Sequence, residues 1–149
     1  MIINKPMAKL KHIDKFPSGS RLTSQRRIIL DYLRSVYTHP TAEVIYKEVK
    51  KKLPQISFGT VYRNLNFLSD HDFILELKST NGRAHYDGNP VDHIHFICLR
   101  CDKICDLQNN ELEKLRANCL KKLQKTSSIG EIKHFRAILY GICKNCKNS

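Results

Sequence analysis

Two pairs of cysteines constrain this chain more than any other feature. Cys98 and Cys101 enclose two residues, Cys143 and Cys146 enclose two more, and 41 residues separate the pairs. Four thiolates at this spacing complete the tetrahedral shell that Zn²⁺ prefers, with bonds of about 2.3 Å. A closed shell has no open position for catalysis. Binding worth roughly 10 kcal/mol or more would pin the end of the chain to the strand that carries the first pair. Two redox pairs, or idle buried thiols, are the competing accounts. The N-terminus is basic but lacks the apolar block of a secretory signal, so a cytoplasmic location with reduced thiols is expected, and metal is favoured over disulfides. Cys105 and Cys119 have no such partners and read as small core hydrophobes, with a redox sensor as the alternative.

Charge narrows the partner. Lys and Arg number 26 against 14 Asp and Glu, a balance of +12 over 149 residues. The excess is not a tail: 15 basic face 9 acidic residues through Asp92, and 11 face 5 from His93 on, so each half carries +6. A polyanion such as nucleic acid is the favoured partner. The length allows one domain or two small ones and excludes large multidomain enzymes. With 41% hydrophobic residues the chain can bury a core, yet no apolar run approaches the ~20 residues that cross a bilayer, so no membrane partner is expected.

Periodicity supplies the elements. Over residues 23–36, Ile29, Leu30, Leu33 and Val36 recur at helical spacing behind Thr23 or Ser24 as cap. His39-Pro40 interrupts, Thr41 can cap a second helix carrying Val44, Ile45, Glu48 and Val49, and that helix stops near Pro54. Ser57 opens a third, with Phe58, Val61, Leu65 and Leu68 predicted on the buried stripe and Gly59, Tyr62, Arg63 and Asn66 on the other side. Asn81-Gly82 between residues 73–78 and 83–87 signals a hairpin in which both turn residues accept positive φ. Three helices followed by a hairpin make a winged helix-turn-helix.

The fold class is therefore α+β: a winged-helix domain over residues 1–87, a hinge at 88–92 through Gly88-Asn89-Pro90-Val91, and a C-terminal α/β domain over 93–149. In the last, residues 93–98 and 104–107 read as paired strands, 109–125 as a helix with Leu112, Leu115, Cys119 and Leu123, and 132–142 as β-rich.

His93 and His95 stand two apart in a predicted strand, which puts both imidazoles on one face. Asp106 lies on the returning strand, Asp87 ends the wing and His39 lies between the first two helices. Three imidazoles and two carboxylates suit Fe²⁺, Mn²⁺ or Zn²⁺ better than Ca²⁺. Spacing alone does not assemble them; His39 could be a surface loop residue and Asp87 a turn carboxylate. His12, His71, His85 and His134 read as surface or core residues.

The segments from Arg21 to Arg26, His39 to Tyr46, Thr60 to Leu65 and His93 to Cys101 together resemble the ferric uptake regulator superfamily of metal-dependent repressors, over about residues 20 to 146. The resemblance implies a homodimer that binds a palindromic double-stranded DNA operator, with a dimerisation domain at 93–149. It also implies one structural zinc per subunit at the four cysteines and one regulatory Fe²⁺ or Mn²⁺ per subunit. The pattern is most similar to the peroxide-sensing branch, whose regulatory ligands match His39, Asp87, His93, His95 and Asp106. Asp106, where iron-uptake regulators commonly carry Glu, favours peroxide sensing; Arg63, where they typically carry Arg, points the other way. Ser24 stands where proline is usual and Asp70-His71-Asp72 where a glycine turn is usual.

On that reading Tyr62 and Arg63 reach base edges in the major groove, Gly59, Thr60 and Asn66 share their helix face, and Arg21, Arg26, Arg27 and Arg83 contact phosphates. The resemblance nominates His39 or His93 for peroxide-driven oxidation, which would weaken metal binding and end repression. Such a protein is a stoichiometric sensor and not an enzyme. The rivals are an iron-responsive or other metal-homeostasis repressor, a non-haem metalloenzyme using His93, His95 and a carboxylate, and a zinc-stabilised RNA-binding module.

Overall fold

The computed structural model describes residues 22–148 except 108, 109, 127 and 133. Arg21 and His12 lie outside the described residues. The chain divides into two compact units between Pro90 and Val91.

In the first unit, α1 (Ser24–Ser35), α2 (Ala42–Lys52) and α3 (Phe58–Asp70) precede a hairpin of β1 (Leu75–Lys78) and β2 (Ala84–Asp87). Thr23 caps α1, its hydroxyl accepting from Arg26 N–H at 3.3 Å, and Ser57 caps α3 by accepting from Thr60 N–H at 3.1 Å. Thr41 is the N-cap of α2, but its side chain makes no capping bond. Its backbone instead forms an isolated antiparallel bridge to His85, and its hydroxyl bonds the Glu43 carboxylate, which lowers that carboxyl's pKa. The helical spacings do converge: Ile29, Leu30, Leu33, Ile45, Val49, Val61, Leu65 and Leu68 share one core with Phe73, Ile74 and Tyr86.

Phe58 differs from its predicted place. It is 40% exposed, and its ring meets Tyr46 edge-on at 5.6 Å. An inward position further along α3 goes to Asn64, whose amide donates to Thr60 O at 2.8 Å while its carbonyl accepts from Arg26 Nε at 3.1 Å. A buried amide is tolerated because both its ends are bonded.

The hairpin also departs from expectation in detail. Gly82 alone takes positive φ, at 80°. Ser79 N–H donates to Arg83 O and Gly82 N–H to Ser79 O, each at 3.0 Å, which leaves a three-residue loop closed by a left-handed glycine rather than a two-residue turn. Gly88 was expected in the hinge, but it is buried against the end of α1, where a Cβ would lie 2.6 Å from Leu33 O. Asp72 holds φ 57°, a conformation that glycine would adopt without strain.

The second unit has a three-stranded sheet in the order β4-β3-β5, with β3 (Ile94–Cys98) at its centre. It is antiparallel to β4 (Ile104–Leu107) and parallel to β5 (Ala137–Gly141), with α4 (Asn110–Leu123) and the short α5 (Lys144–Lys147) completing the unit. Among the described residues the buried hydrophobics here are Ile94, Ile97, Cys98 and Ile104, and α4 has none. Among the described residues no helix is long and apolar enough to cross a membrane.

Candidate functional site

The four cysteines come together at the end of β3 and the start of α5. One donor atom from each of Cys98, Cys101, Cys143 and Cys146 lies within 4.8 Å of all the others. Cys101 Sγ and Cys143 Sγ are 3.8 Å apart. Two sulfurs bound to one Zn²⁺ at about 2.3 Å and the tetrahedral angle stand about 3.8 Å apart, against about 2.0 Å in a disulfide, so the set fits zinc.

The backbone supports it. Asp102 N–H donates to Cys98 O and Cys98 N–H to Lys103 O, both at 3.0 Å, turning the chain after β3 with Asp102 at φ 56°. Leu99 N–H reaches Gly141 O at 2.8 Å and Arg100 Nη1 donates to Cys146 O at 2.6 Å, tying the two knuckles together. The Cys143 N–H, 3.4 Å from Cys98 Sγ, leads the effects that bring that thiol down to about 6. Hydrogen bonds to Cys101 and Cys143 push Cys146 up to about 12. Zinc takes the place of those protons when it binds. Cys105 and Cys119 are half-buried rather than core residues, and burial raises the Cys105 thiol.

The regulatory candidates fall on both units. In the second, His93 Nε2 lies 3.2 Å and His95 Nε2 3.5 Å from the same Asp106 oxygen. Asp106 is the cross-strand partner of His95, and the two imidazole centroids are 4.1 Å apart. Ligands about 2.1 Å from one ion stand about 3.0 Å apart at a right angle and 3.4 Å at the tetrahedral angle, so these three donors suit one cation. His93 Nδ1 donates to Val91 O at 2.6 Å, which leaves Nε2 as the nitrogen that faces Asp106 and could bind a cation.

In the first unit, His39 Nε2 and Asp87 Oδ2 are 3.9 Å apart. The other Asp87 oxygen accepts from Asn89 N–H at 2.9 Å, which orients the carboxylate. His39 is buried and holds φ 49°, an uncommon conformation for a residue with a side chain. His85, read from sequence as an unremarkable surface or core histidine, has its Nδ1 2.7 Å from His39 O. The one hint available in the chain was its place two residues before Asp87, on the same strand face.

The nucleic-acid candidates lie in the first unit. Gly59, Tyr62, Arg63 and Asn66 are exposed on α3, and Thr60 is half-buried. Arg63 Nη2 donates to Thr60 Oγ1 at 3.1 Å, and that oxygen lies 2.9 Å from Ser57 Oγ, so two hydroxyls support the guanidinium. Arg83 is exposed at the wing and Arg27 on α1. Arg26 bonds Asn64 and packs 3.5 Å from the Phe67 ring centroid, so it joins α1 to α3. Tyr62 and Arg83 also line an open cavity of about 660 Å³ with Glu43, Phe58 and Tyr86.

A winged-helix unit with an exposed cationic helix face, followed by a sheet unit with a four-thiolate centre and a His-His-Asp cluster, defines a metal-dependent regulator. The Ferric uptake regulator family model matches residues 17–134, and the chain belongs to that family. The peroxide-responsive repressor PerR of Staphylococcus aureus is 37% identical over 131 residues, which are 88% of this chain and 85% of that protein. Several solved structures are similar. The Helicobacter pylori ferric uptake regulator Fur matches with TM-score 0.69 and 29% identity, over 88% of this chain and 85% of its own. The Campylobacter jejuni peroxide stress regulator matches with 0.68 and 32%, over 82% and 88%.

Proposed function

We propose that this protein is a DNA-binding transcriptional repressor that works as a homodimer, requires a regulatory metal to hold its operator, and releases it on exposure to peroxide. The observation that carries the reading is the single Asp106 oxygen facing both His93 Nε2 and His95 Nε2. The similarity to the Staphylococcus aureus peroxide-responsive repressor and the Campylobacter jejuni peroxide stress regulator supports the peroxide branch.

On this reading the His39–Asp87 pair and the His93–His95–Asp106 set would serve one cation. The pair alone offers too few donors to hold a transition metal and the three-donor set alone would leave positions open, whereas all five would give a mixed imidazole–carboxylate shell suited to Fe²⁺ or Mn²⁺. Five residues separate Asp87 from His93, so the chain itself keeps the halves within about 20 Å. A cation gripped by both would favour the arrangement of the winged-helix units that fits a two-fold operator. Tyr62 and Arg63 then enter the major groove, Arg63 placed for two hydrogen bonds to a guanine edge worth roughly 1 to 3 kcal/mol of discrimination.

The apolar side chains left exposed in the second unit support the dimer. Leu99, Leu115, Leu139, Tyr140 and Ile142 are each about half exposed or more, and a second copy would cover them.

Iron(II) held at this site would supply the one-electron chemistry that peroxide needs. With Fe²⁺ held by these residues, the peroxide O–O bond would break, one oxygen passing to the His39 or His93 imidazole and the other leaving as water; the oxidised ring would be a poorer ligand and the two halves would part. Mass spectrometry tests this: peroxide added to the Fe²⁺ form should add about 16 Da, one oxygen, to a peptide containing His39 or His93, and the Mn²⁺ form should stay unmodified. An unmodified Fe²⁺ form that still releases operator would overturn it. Arg63 on the exposed face of α3 favours a second reading, an iron-responsive repressor of the same architecture; there the Fe²⁺ form survives peroxide and operator binding follows iron supply.

A further inference from the structure

We infer that His85 is a positioning residue for the metal site: it holds the His39 backbone in the conformation that aims the His39 imidazole at Asp87. The inference rests on the reading of His39 and Asp87 as ligands.

His39 stands at φ 49° immediately before Pro40. A left-handed conformation in a residue with a Cβ persists only where its surroundings over-determine it, and a following proline restricts it further. β2 supplies the surroundings. His85 Nδ1 lies 2.7 Å from His39 O, and since a carbonyl only accepts, Nδ1–H is the donor and the tautomer is fixed. The next residue repeats the contact, Tyr86 N–H donating to Pro40 O at 3.0 Å. Thr41 then bridges back to His85. Three consecutive loop residues, 39 to 41, are thereby fastened to two consecutive strand residues.

The same strand ends at Asp87, on the face that carries His85, because alternate side chains of a strand point the same way. One short strand therefore holds one ligand, Asp87, and clamps the carbonyl of the other. The 3.9 Å separation of His39 Nε2 and Asp87 Oδ2 is set through His85 and not only by packing around the His39 ring. Hydrogen bonds of this kind, one step removed from a metal, commonly hold ligand geometry, and losing one costs about 10- to 100-fold in metal affinity.

The test uses full-length, zinc-loaded protein and Mn²⁺ calorimetry. His85→Ala should weaken Mn²⁺ by about 10- to 100-fold and speed hydrogen exchange at the Tyr86 amide, which donates to Pro40 O, in the Mn²⁺-free protein. His85→Asn, whose amide N–H can replace Nδ1–H, should recover most of both. Wild-type Mn²⁺ affinity in His85→Ala, or equal loss in His85→Ala and His85→Asn, would overturn the positioning role. His39→Ala separates the two levels. If it weakens Mn²⁺ while His85→Ala does not, only the positioning fails; if it leaves Mn²⁺ affinity unchanged, the ligand reading falls and the positioning role with it.

Discussion

The two units stabilise themselves by different means. The first draws thirteen buried side chains from three helices, the α2–α3 connection and the segment leading into and through the hairpin into one cluster, with an aromatic, Tyr86, fully enclosed. The second, from Val91 on, buries Ile94, Ile97, Cys98 and Ile104 and leaves α4 without one buried side chain. Hydrophobic burial at roughly 25 cal/mol per Å² suffices for the first. A unit of about sixty residues with so thin a core needs a metal or a partner. The unit whose four cysteines fit a zinc ion is thus the one with the thinner core.

The comparison is broken most forcefully at the cysteines. Cys143→Ser should lose zinc and the dimer together, while the helical melting transition of the first unit persists; zinc analysis, sedimentation and circular dichroism check it, and a folded, zinc-free dimer would contradict it. A milder contrast uses one leucine from each unit. Leu65→Ala, in the fully buried core, should cost about 2 to 5 kcal/mol in urea unfolding of the first unit. Leu115→Ala, at 64% exposure on α4, should change unfolding of the isolated subunit by no more than about 0.5 kcal/mol and show its effect in dimer dissociation. Equal unfolding costs for the two would remove the distinction between the units.

Much of this division could be read in the sequence, because it rests on periodicity and spacing. Ile29, Leu33, Ile45, Val61 and Leu65 recur at helical intervals and meet in the core, and two Cys-x2-Cys pairs converge because one ion requires four donors. Residues 104–107 fell on β4 as the strand that returns after the first cysteine pair. What stayed hidden depends on hydrogen bonds that no pattern encodes. Phe58 satisfied the helical stripe but sits in the first turn of α3, beyond the reach of the core, while polar Asn64 goes inside because Arg26 and Thr60 satisfy it. Thr41 had the chemistry of a cap and spends its hydroxyl on Glu43. The contact of His85 with the His39 carbonyl spans 46 residues, and nothing local to either announces it. The candidate ligands were nameable only because His39, Asp87, His93, His95 and Asp106 match the regulatory set that the family resemblance implies; spacing alone did not assemble them.

The most direct measurement is the number of Mn²⁺ ions bound by the zinc-loaded protein, titrated by calorimetry in wild type, Asp87→Ala and His93→Ala, with operator binding followed alongside. One ion per chain, lost in both variants together with metal-dependent operator binding, is the result predicted for a site that both units share. Two ions in the wild type, with each variant losing one and keeping the other, would contradict it.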